Sequence, residues 1–348
     1  MKGRVVILGE LRGLEAAALM LDGQLEDLLL APGDAAALAP GAICRAVVDR
    51  QMKGQGGVFV RLPGGAKGFL RETGGLAPGQ AVLVQLAAVA EPGKAVPVST
   101  RLLFKSRYAI VTPAAPGLNV SRRIREAQSR AALEALAAAA MAGSSAGLIL
   151  RSACAGAGPG EIAEDIAQMR ALAEAVLADL PGPPELLFDA AGPHEAAWRD
   201  WAEPAPDEVT EAPDAMAAHG VPAALAALLT PRVALPGGAH MQIEPTRALI
   251  AVDVNTGADH SPAAALKANI AAARELPRQL RLRGLGGQIT VDFAPMAKRD
   301  RATLEQQLRA AFKGEAAETS LAGWTPLGNY ELSRKRDRVP LAAILAGA

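Results

Sequence analysis

Two aspartates in the last third of the chain occupy matching places in two similar segments. Asp253 follows the apolar run of LIAVDVN, and Asp292 follows that of QITVDFA. Because side chains alternate along a strand, we expect each carboxylate on the face opposite the buried valines and isoleucines. Two neighbouring carboxylates repel each other unless a cation or a proton neutralises them. Carboxylate oxygens, completed by substrate phosphates, are the ligands that Mg²⁺ prefers.

The elements around this pair are predicted as strand, helix, strand and helix, at residues 249–254, 262–283, 288–293 and 301–313. This order favours two parallel strands joined by a right-handed crossover. Both carboxylates then emerge at the carboxyl edge, where open α/β sheets place their sites. Each aspartate alone is more simply explained as a cap of the following helix or turn. The matched pair favours a metal site. Pro277 should kink the first helix or split it in two.

The earlier part of the chain predicts different structures. Residues 1–34 contain short strands with an Asp-Gly hairpin turn at Asp22. From 42 to 104, short apolar runs separated by glycine-rich turns indicate a small β-barrel. Residues 122–142 and 160–180 have the alanine-rich, 3.6-residue rhythm of helices.

Composition sets limits on the class of protein. With 348 residues, half of them hydrophobic, the chain predicts two or three folded domains rather than disorder. The net charge is zero, so overall charge does not indicate nucleic-acid binding. The basic residues are nevertheless clustered, so local contacts with nucleic acid stay possible. Solvated helix faces are the simpler explanation of each cluster. The clusters are Arg122, Arg123 and Arg125; 274–283; Lys298, Arg299 and Arg301; and 334–338.

Cysteines and apolar segments bear on location. Cys44 and Cys154 form no CxxC pair, so we expect small buried side chains rather than a disulfide framework or a zinc site. The N-terminus has no signal-peptide pattern. The sequence contains no run of 18 uncharged apolar residues, so no membrane span is predicted. The sequence therefore predicts a cytoplasmic protein.

A longer stretch around the aspartates resembles the catalytic region of the ribonuclease E/G family. It contains D-x-N, then N-x-x-A-A-x-E, then R-Q-L-R-L-R-x-L-G-G, then V-D-F. The resemblance implies that Asp253 and Asp292 hold a catalytic Mg²⁺, for which Mn²⁺ is a substitute. It implies that Asn255 binds or orients the scissile phosphate or the attacking water. The implied activity is endonucleolytic cleavage of single-stranded RNA, leaving 5′-phosphate and 3′-hydroxyl ends.

The same resemblance implies RNA contacts in the first half. The segment GGVFVRLPGGAKGFL is similar to the core of the family's OB-fold, where Phe59 and Phe69 match aromatics that stack on RNA bases. Burial in the barrel is the alternative, above all for Phe69. NVSRRI and GLILRSA resemble the family's sensor of a 5′-monophosphate. Arg151 and Ser152 then grip the phosphate, with Ser in place of the usual Thr, and Arg122 supports them. An ordinary surface arginine is the alternative.

The implied fold class is multidomain α+β and α/β, with an OB-fold barrel inserted after the N-terminal strands and followed by RNase H-like and DNase I-like regions. The expected division lists N-terminal strands of the RNase H-like subdomain (1–34), the OB-fold RNA-binding domain (35–107), the 5′-end sensor (108–184), the RNase H-like subdomain (185–232) and the DNase I-like catalytic domain (233–348).

Departures from the family pattern leave alternatives open. Members normally continue into a cysteine pair that shares zinc between subunits, and this sequence lacks it. We therefore expect no structural zinc and no zinc-linked tetramer, although a homo-oligomer stays open. Pro277 replaces a helix-compatible residue, so the second hypothesis is an RNA-binding protein with weak or lost turnover. A metal-dependent phosphatase would share the aspartates but would not explain the barrel or the Arg151–Ser152 pair.

Overall fold

Two units make up the computed structural model of the chain. The described residues are 3–33, 36, 38–51, 56–71, 75–91 and 93–347. The first unit takes its residues from Gly3, 7–36 and 210–348, and the second from 4–6 and 37–209. The paired aspartates belong to the first unit. The aromatic pair and the sensor-like arginines belong to the second.

The chain begins with a three-stranded meander, in which β1 (Arg4–Leu11), β2 (Leu14–Leu21) and β3 (Gln24–Leu30) are neighbours in order. β2 and β3 pair antiparallel. Between them Asp22 has φ 49° and Gly23 has φ 80°. Two successive positive φ values are what a two-residue type I′ turn requires, and Asp-Gly adopts them readily. The predicted hairpin is confirmed.

The second unit contains a closed five-stranded barrel. Its strands are β4 (Ile43–Gln51), β5 (Val58–Arg61), β6 (Lys67–Leu70), β7 (Ala81–Leu86) and β8 (Val96–Ser99). They follow the order β4-β5-β6-β8-β7, and a β7–β4 pairing closes the ring. Among the described residues of the ring, β6 and β8 pair parallel and the other neighbours pair antiparallel. The predicted barrel is confirmed, and it is consistent with an OB-fold.

A second sheet and two helices complete the core of this unit. The sheet has the order β11-β12-β10-β9. Its strands are β9 (Phe104–Lys105), β10 (Ala109–Thr112), β11 (Leu118–Val120) and β12 (Gly147–Leu150). Helices α1 (Ala127–Ala140) and α2 (Pro159–Ala178) pack on it through buried apolar side chains. Both predicted helices are confirmed, although α1 begins later than the sequence indicates.

Shorter elements follow α2. They are β13 (Glu185–Phe188), which joins the barrel sheet beside β4, then α3 (Pro193–Asp200), β14 (Glu208–Thr210), α4 (Ala215–Ala218) and α5 (Val221–Leu228). Both cysteines are buried, and burial raises the pKa of the Cys44 thiol and of the Cys154 thiol to about 11. Within the described part of the chain, no helix combines the length and apolar content that a membrane crossing needs.

A six-stranded mixed sheet dominates the first unit, with the order β15-β16-β17-β18-β20-β19. Its strands are β15 (Arg232–Ala234), β16 (His240–Pro245), β17 (Ile250–Asn255), β18 (Gly287–Asp292), β19 (Thr319–Trp324) and β20 (Tyr330–Arg334). β17 and β18 are parallel, as predicted, and the other pairings are antiparallel. The four outer strands, β15, β16, β19 and β20, are not predicted from the sequence.

Helices cover one face of this sheet. α6 (Pro262–Leu282) and α7 (Arg301–Phe312) bury their apolar residues against Val252 and Val291, whereas the short α8 (Leu341–Ala346) ends the chain. The prediction that Pro277 splits α6 is wrong, because the helix continues through it. A proline removes one backbone hydrogen bond there. Leu276 and Leu280, on either side of it, are 1% and 0% exposed, and their packing holds the helix against the sheet.

An ion-pair network inside the first unit uses two of the four basic clusters. Arg338 binds both carboxylate oxygens of Asp27, at 2.5 and 2.9 Å. Arg281 pairs with Glu26 and Glu315, and Glu315 also pairs with Arg334. Burial alone would lower the pKa of Arg338, but the charge and hydrogen bonds of Asp27 outweigh it and raise that pKa. These arginines are therefore structural, and their description as solvated helix faces is wrong.

The Asp27→Asn variant tests this network. Asp27 is 6% exposed, and removal of its charge leaves Arg338 without its bidentate partner. We expect a loss of about 2 kcal/mol in the free energy of unfolding, measured by urea titration, because the partly buried Arg338 loses its hydrogen bonds to a charged partner. Glu10→Gln, at an exposed position on β1, is the control and should change this free energy by less than about 0.5 kcal/mol. Equal effects of the two substitutions would contradict the assignment.

Candidate active site

The open face of the mixed sheet carries the paired aspartates. Asp253 and Asp292 are direct register partners on the parallel strands β17 and β18. Both are exposed, whereas Val252 and Val291 point to the helices. Partners in register on adjacent strands share a face, and neighbouring strands lie about 4.8 Å apart. The structure therefore brings the two predicted carboxylates side by side.

Asn255 completes the predicted set. Its side-chain nitrogen donates a hydrogen bond of 2.7 Å to the Oδ2 atom of Asp253. The two residues are two positions apart on β17, so alternation puts them on the same face. This bond restrains the Oδ2 atom of Asp253. The Oδ1 atom of Asp253 and the side-chain amide oxygen of Asn255 stay available to other partners.

Strand β16 adds two residues that the sequence analysis missed. Antiparallel pairing puts His240 opposite Asn255 and Gln242 opposite Asp253, and directly opposite residues share a face. The Nδ1 atom of His240 is buried and has no hydrogen-bond partner among the described residues. Apolar alternation at Met241 and Ile243 was the signal for this strand, but the segment is short and β16 was not predicted.

A buried asparagine holds the chain just beyond Asp292. Asn269, on α6, is 0% exposed. Its Nδ2 atom donates to the carbonyl oxygen of Ala294 at 2.8 Å, and its Oδ1 atom accepts from the Ala294 nitrogen at 2.9 Å. This two-bond clamp anchors the backbone two residues after Asp292. Asn269, the asparagine of the N-x-x-A-A-x-E pattern, thus has a positioning role that the sequence alone does not indicate.

The donor set at this face fits a hard divalent cation. Among the described residues, no group of three or more His, Cys, Asp or Glu side chains is placed to hold a metal ion. Mg²⁺ does not need such a group, because it commonly uses one or two carboxylates and keeps waters or substrate phosphates as its other ligands. Asp253 and Asp292 supply two carboxylates, and the amide oxygen of Asn255 is a third hard donor.

The predicted RNA-stacking aromatics lie together on the outside of the barrel. Phe59 on β5 and Phe69 on β6 are register partners, and their ring centroids are 5.5 Å apart. The inward positions are taken by smaller apolar residues such as Val58 and Val60, which are fully buried. The guanidinium of Arg50 lies 5.4 Å from the centre of the Phe59 ring. Arg50 was not predicted from the sequence, because its position beside Phe59 depends on the β4–β5 pairing.

The sensor-like residues lie at one end of a parallel strand pair. β11 and β12 are parallel, with Val120 beside Leu150, so Arg122 and Arg151 follow the same edge of the sheet. Arg122 is exposed and has no side-chain partner among the described residues. The Arg151 side chain forms hydrogen bonds, which are described below. Ser152 is half-buried and is the first residue of a short 3-10 helix, Ser152–Gly156. The structure thus brings the three predicted residues to one region.

Arg151 already has a carboxylate partner. Its Nη2 atom is 2.8 Å from Asp200, which Arg199 also approaches at 2.8 Å. Burial would raise the pKa of Asp200, but hydrogen bonds and charges from Arg199 and Arg151 outweigh it and lower that pKa. Two guanidinium groups therefore share one ionised carboxylate, which leaves one positive charge in excess. A phosphate could bind there by taking over hydrogen bonds that Asp200 now accepts.

The chain is similar to a known protein family and to several curated relatives. The model of the ribonuclease E/G family matches residues 104–217 and 207–337. Ribonuclease E of Nostoc sp. is 29% identical over 377 aligned residues, which cover 92% of this chain and 54% of that protein. Ribonuclease G of Escherichia coli K12 is 28% identical, covering 77% of this chain and 62% of the relative.

A protein of mixed α+β architecture with a five-stranded barrel and a one-sided α/β sheet is the class defined here. Within that class, the chain belongs to the ribonuclease E/G family, because the family model extends over most of its length. The chain spans about half to three-fifths of the length of the curated relatives it matches.

Metal binding at this face can be measured without any substrate. Mg²⁺ should raise the thermal unfolding midpoint by a few degrees, since a ligand of the native state at 100 times its Kd stabilises by about 2.7 kcal/mol. The Asp292→Asn variant should lose this shift. Glu10→Gln, which removes an exposed charge from β1, should keep it. Equal Mg²⁺ shifts in wild type and Asp292→Asn would argue against the site.

Proposed function

We propose that this chain is a Mg²⁺-dependent endoribonuclease that hydrolyses single-stranded RNA to 5′-phosphate and 3′-hydroxyl ends. The observation that carries the proposal is the in-register pair Asp253 and Asp292 on the open face of the sheet. Membership of the ribonuclease E/G family supports the same reaction.

The chemistry divides between the ion and the side chains. When bound by Asp253 and Asp292, Mg²⁺ would lower the pKa of a coordinated water and offset the charge that develops on the phosphate, with Mn²⁺ as a substitute. Asn255 holds Asp253 through the 2.7 Å hydrogen bond. Its second N–H donates to the scissile phosphate, or its amide oxygen accepts a hydrogen bond from the attacking water. Asn269 acts through the backbone beyond Asp292, so it is a positioning residue.

RNA is held, in this proposal, by groups of the second unit. Phe59 and Phe69 stack on bases, and their outward position beside Arg50 supports that role. Each stacked base contributes about 1–3 kcal/mol to binding. Arg151 and Ser152, supported by Arg122, bind a 5′-monophosphate. The expected domain division belongs to the same proposal, with an OB-fold RNA-binding domain, a 5′-end sensor, an RNase H-like subdomain and a DNase I-like catalytic domain.

The Asp253→Asn variant tests the catalytic assignment. With 5′-monophosphorylated, unstructured RNA and Mg²⁺, cleavage should fall about a thousandfold, because loss of several kcal/mol of stabilisation gives that factor. RNA affinity, measured by anisotropy in EDTA, should change little. Glu10→Gln, on β1, is the control that should keep wild-type cleavage. Full activity of Asp253→Asn would remove the metal assignment.

The same assay separates the enzyme from the second hypothesis, an RNA-binding protein of this fold without turnover. Mg²⁺-dependent fragments support the enzyme, whereas a mobility shift without fragments supports the binder. The unbroken course of α6 through Pro277 favours the enzyme, since the helix that packs behind both aspartates is intact.

Sensing of the RNA 5′ end has a separate test. Cleavage of a 5′-monophosphorylated RNA should be faster than cleavage of the same RNA with a 5′-hydroxyl, since guanidinium and hydroxyl groups bind phosphate well. Ser152→Ala should reduce the ratio of the 5′-monophosphate rate to the 5′-hydroxyl rate, and it leaves the Arg151–Asp200 ion pair in place. Arg151→Gln should bring this ratio to about 1. Equal wild-type rates on both substrates would show that these residues do not read the end.

A further inference from the structure

A tryptophan on the surface of the second unit has no role in the function proposed above. Trp198, on α3, is 58% exposed. Trp side chains are highly buried on average, and the chain has only 3 of them. Trp201, three residues later, follows that rule and is 6% exposed. An exposed indole in a chain so poor in aromatics suggests a contact with something else.

An arginine lies against this indole. The guanidinium carbon of Arg107 is 4.0 Å from the Trp198 ring centre and 5.5 Å from that of Tyr108. The Nε atom of Arg107 is buried and has no hydrogen-bond partner. Among the described residues, no carboxylate forms an ion pair with it. The pair thus combines a flat aromatic surface with a cation that forms no ion pair with a described carboxylate, while Asp165 binds its two chain neighbours, Ser106 and Tyr108.

Arg151 ties the two sides of this pair together. Its Nη1 atom donates to the carbonyl oxygen of Ser106 at 2.6 Å and to that of Arg199 at 3.0 Å. Ser106 immediately precedes Arg107, and Arg199 immediately follows Trp198. The Arg151 backbone nitrogen also donates to the carbonyl oxygen of Tyr108 at 2.8 Å. Arg107 and Trp198 are therefore held in place beside the candidate 5′-phosphate site.

We propose that Trp198 and Arg107 form a stacking platform for one nucleotide of single-stranded RNA. The base stacks on the exposed face of the Trp198 ring, and a neighbouring backbone phosphate binds the Nη atoms of Arg107. This assignment rests on the proposed RNA-directed function, to which it adds a specific subsite. Aromatic rings bind bases of every type, and a stacked arginine strengthens such contacts.

The chemistry favours a nucleotide over a protein partner at this surface. An apolar protein surface would bury the Arg107 guanidinium without a counter-charge, which is unfavourable. A nucleotide supplies both a π-face for the ring and an anionic phosphate for the cation. The excess positive charge of Arg151 and Arg199 around Asp200 adds to the attraction for an anionic chain.

The test measures binding of a 10-nucleotide unstructured RNA, 5′-phosphorylated and 3′-labelled, to the full chain in EDTA. Trp198→Ala should raise the anisotropy Kd roughly tenfold, within the range of about 5- to 100-fold that loss of one stacked base produces. Trp198→Phe retains a ring and should stay within about threefold of wild type. Leu177→Ala removes an apolar side chain of α2 that is 42% exposed, and it should leave Kd unchanged.

Two further readouts separate stacking from a general change in the fold. RNA should quench the tryptophan fluorescence of wild type, and Trp198→Ala should lose most of this change while keeping its urea midpoint. Arg107→Gln should weaken binding and reduce its salt dependence, as expected for a lost phosphate contact. An unchanged Kd in both Trp198→Ala and Arg107→Gln, with Mg²⁺-dependent cleavage intact, would overturn the platform and leave the proposed function standing. Absence of both RNA binding and cleavage in wild type would overturn the proposed function and the platform with it.

Discussion

The parallel pairing of β17 with β18 is the constraint on which the candidate active site depends. It puts two like charges in register on neighbouring strands, an arrangement that is unfavourable until a cation joins them. The register is held from the other side of the sheet, where Val252 and Val291 are buried beneath α6 and α7. A slip of one residue would turn these valines to the open face, so hydrophobic packing keeps the carboxylates together. Packing in the core therefore keeps the Asp253 and Asp292 carboxylates close together despite their repulsion, which a bound divalent cation would offset.

The most specific motif of the sequence acts largely through that packing. In the R-Q-L-R-L-R run, Arg278 donates to the backbone of β3 at Leu25, and Arg281 pairs with Glu26 and Glu315. Arg283 is buried and donates to the carbonyl oxygen of Thr230. These contacts attach α6 to its surroundings and hold it against the sheet. The zero net charge of the chain includes ion pairs of this kind, so it does not measure the charge that the surface offers to RNA.

The second unit presents a different balance between core and surface. Small aliphatic residues fill the barrel, which leaves Phe59 and Phe69 outside as a contiguous aromatic pair. Trp198 is likewise outside, with a guanidinium against its ring. Because only 3% of the residues are aromatic, these three rings represent a substantial part of the chain's capacity for stacking. Trp198 is exposed and the two phenylalanines are half-buried, so part of their apolar surface stays in water, and we propose that nucleobases cover it.

Local patterns were sufficient for much of this structure. Alternation around Asp253 and Asp292, the Asp22-Gly23 turn and the glycine-punctuated barrel strands were all readable, because each depends on residues close together in the chain. The outer strands of the mixed sheet could not be predicted in this way. Strands as short as β15 and β16 have little periodicity of their own, and they form by pairing with distant partners. The same limit applies to His240 opposite Asn255, Arg50 beside Phe59, the Asn269 clamp and the Arg107–Trp198 stack.

The sequence by itself determined which residues carry the candidate chemistry and which local elements hold them. Only the tertiary structure decided which side chains meet, because long-range pairing and burial bring together residues that no local spacing relates.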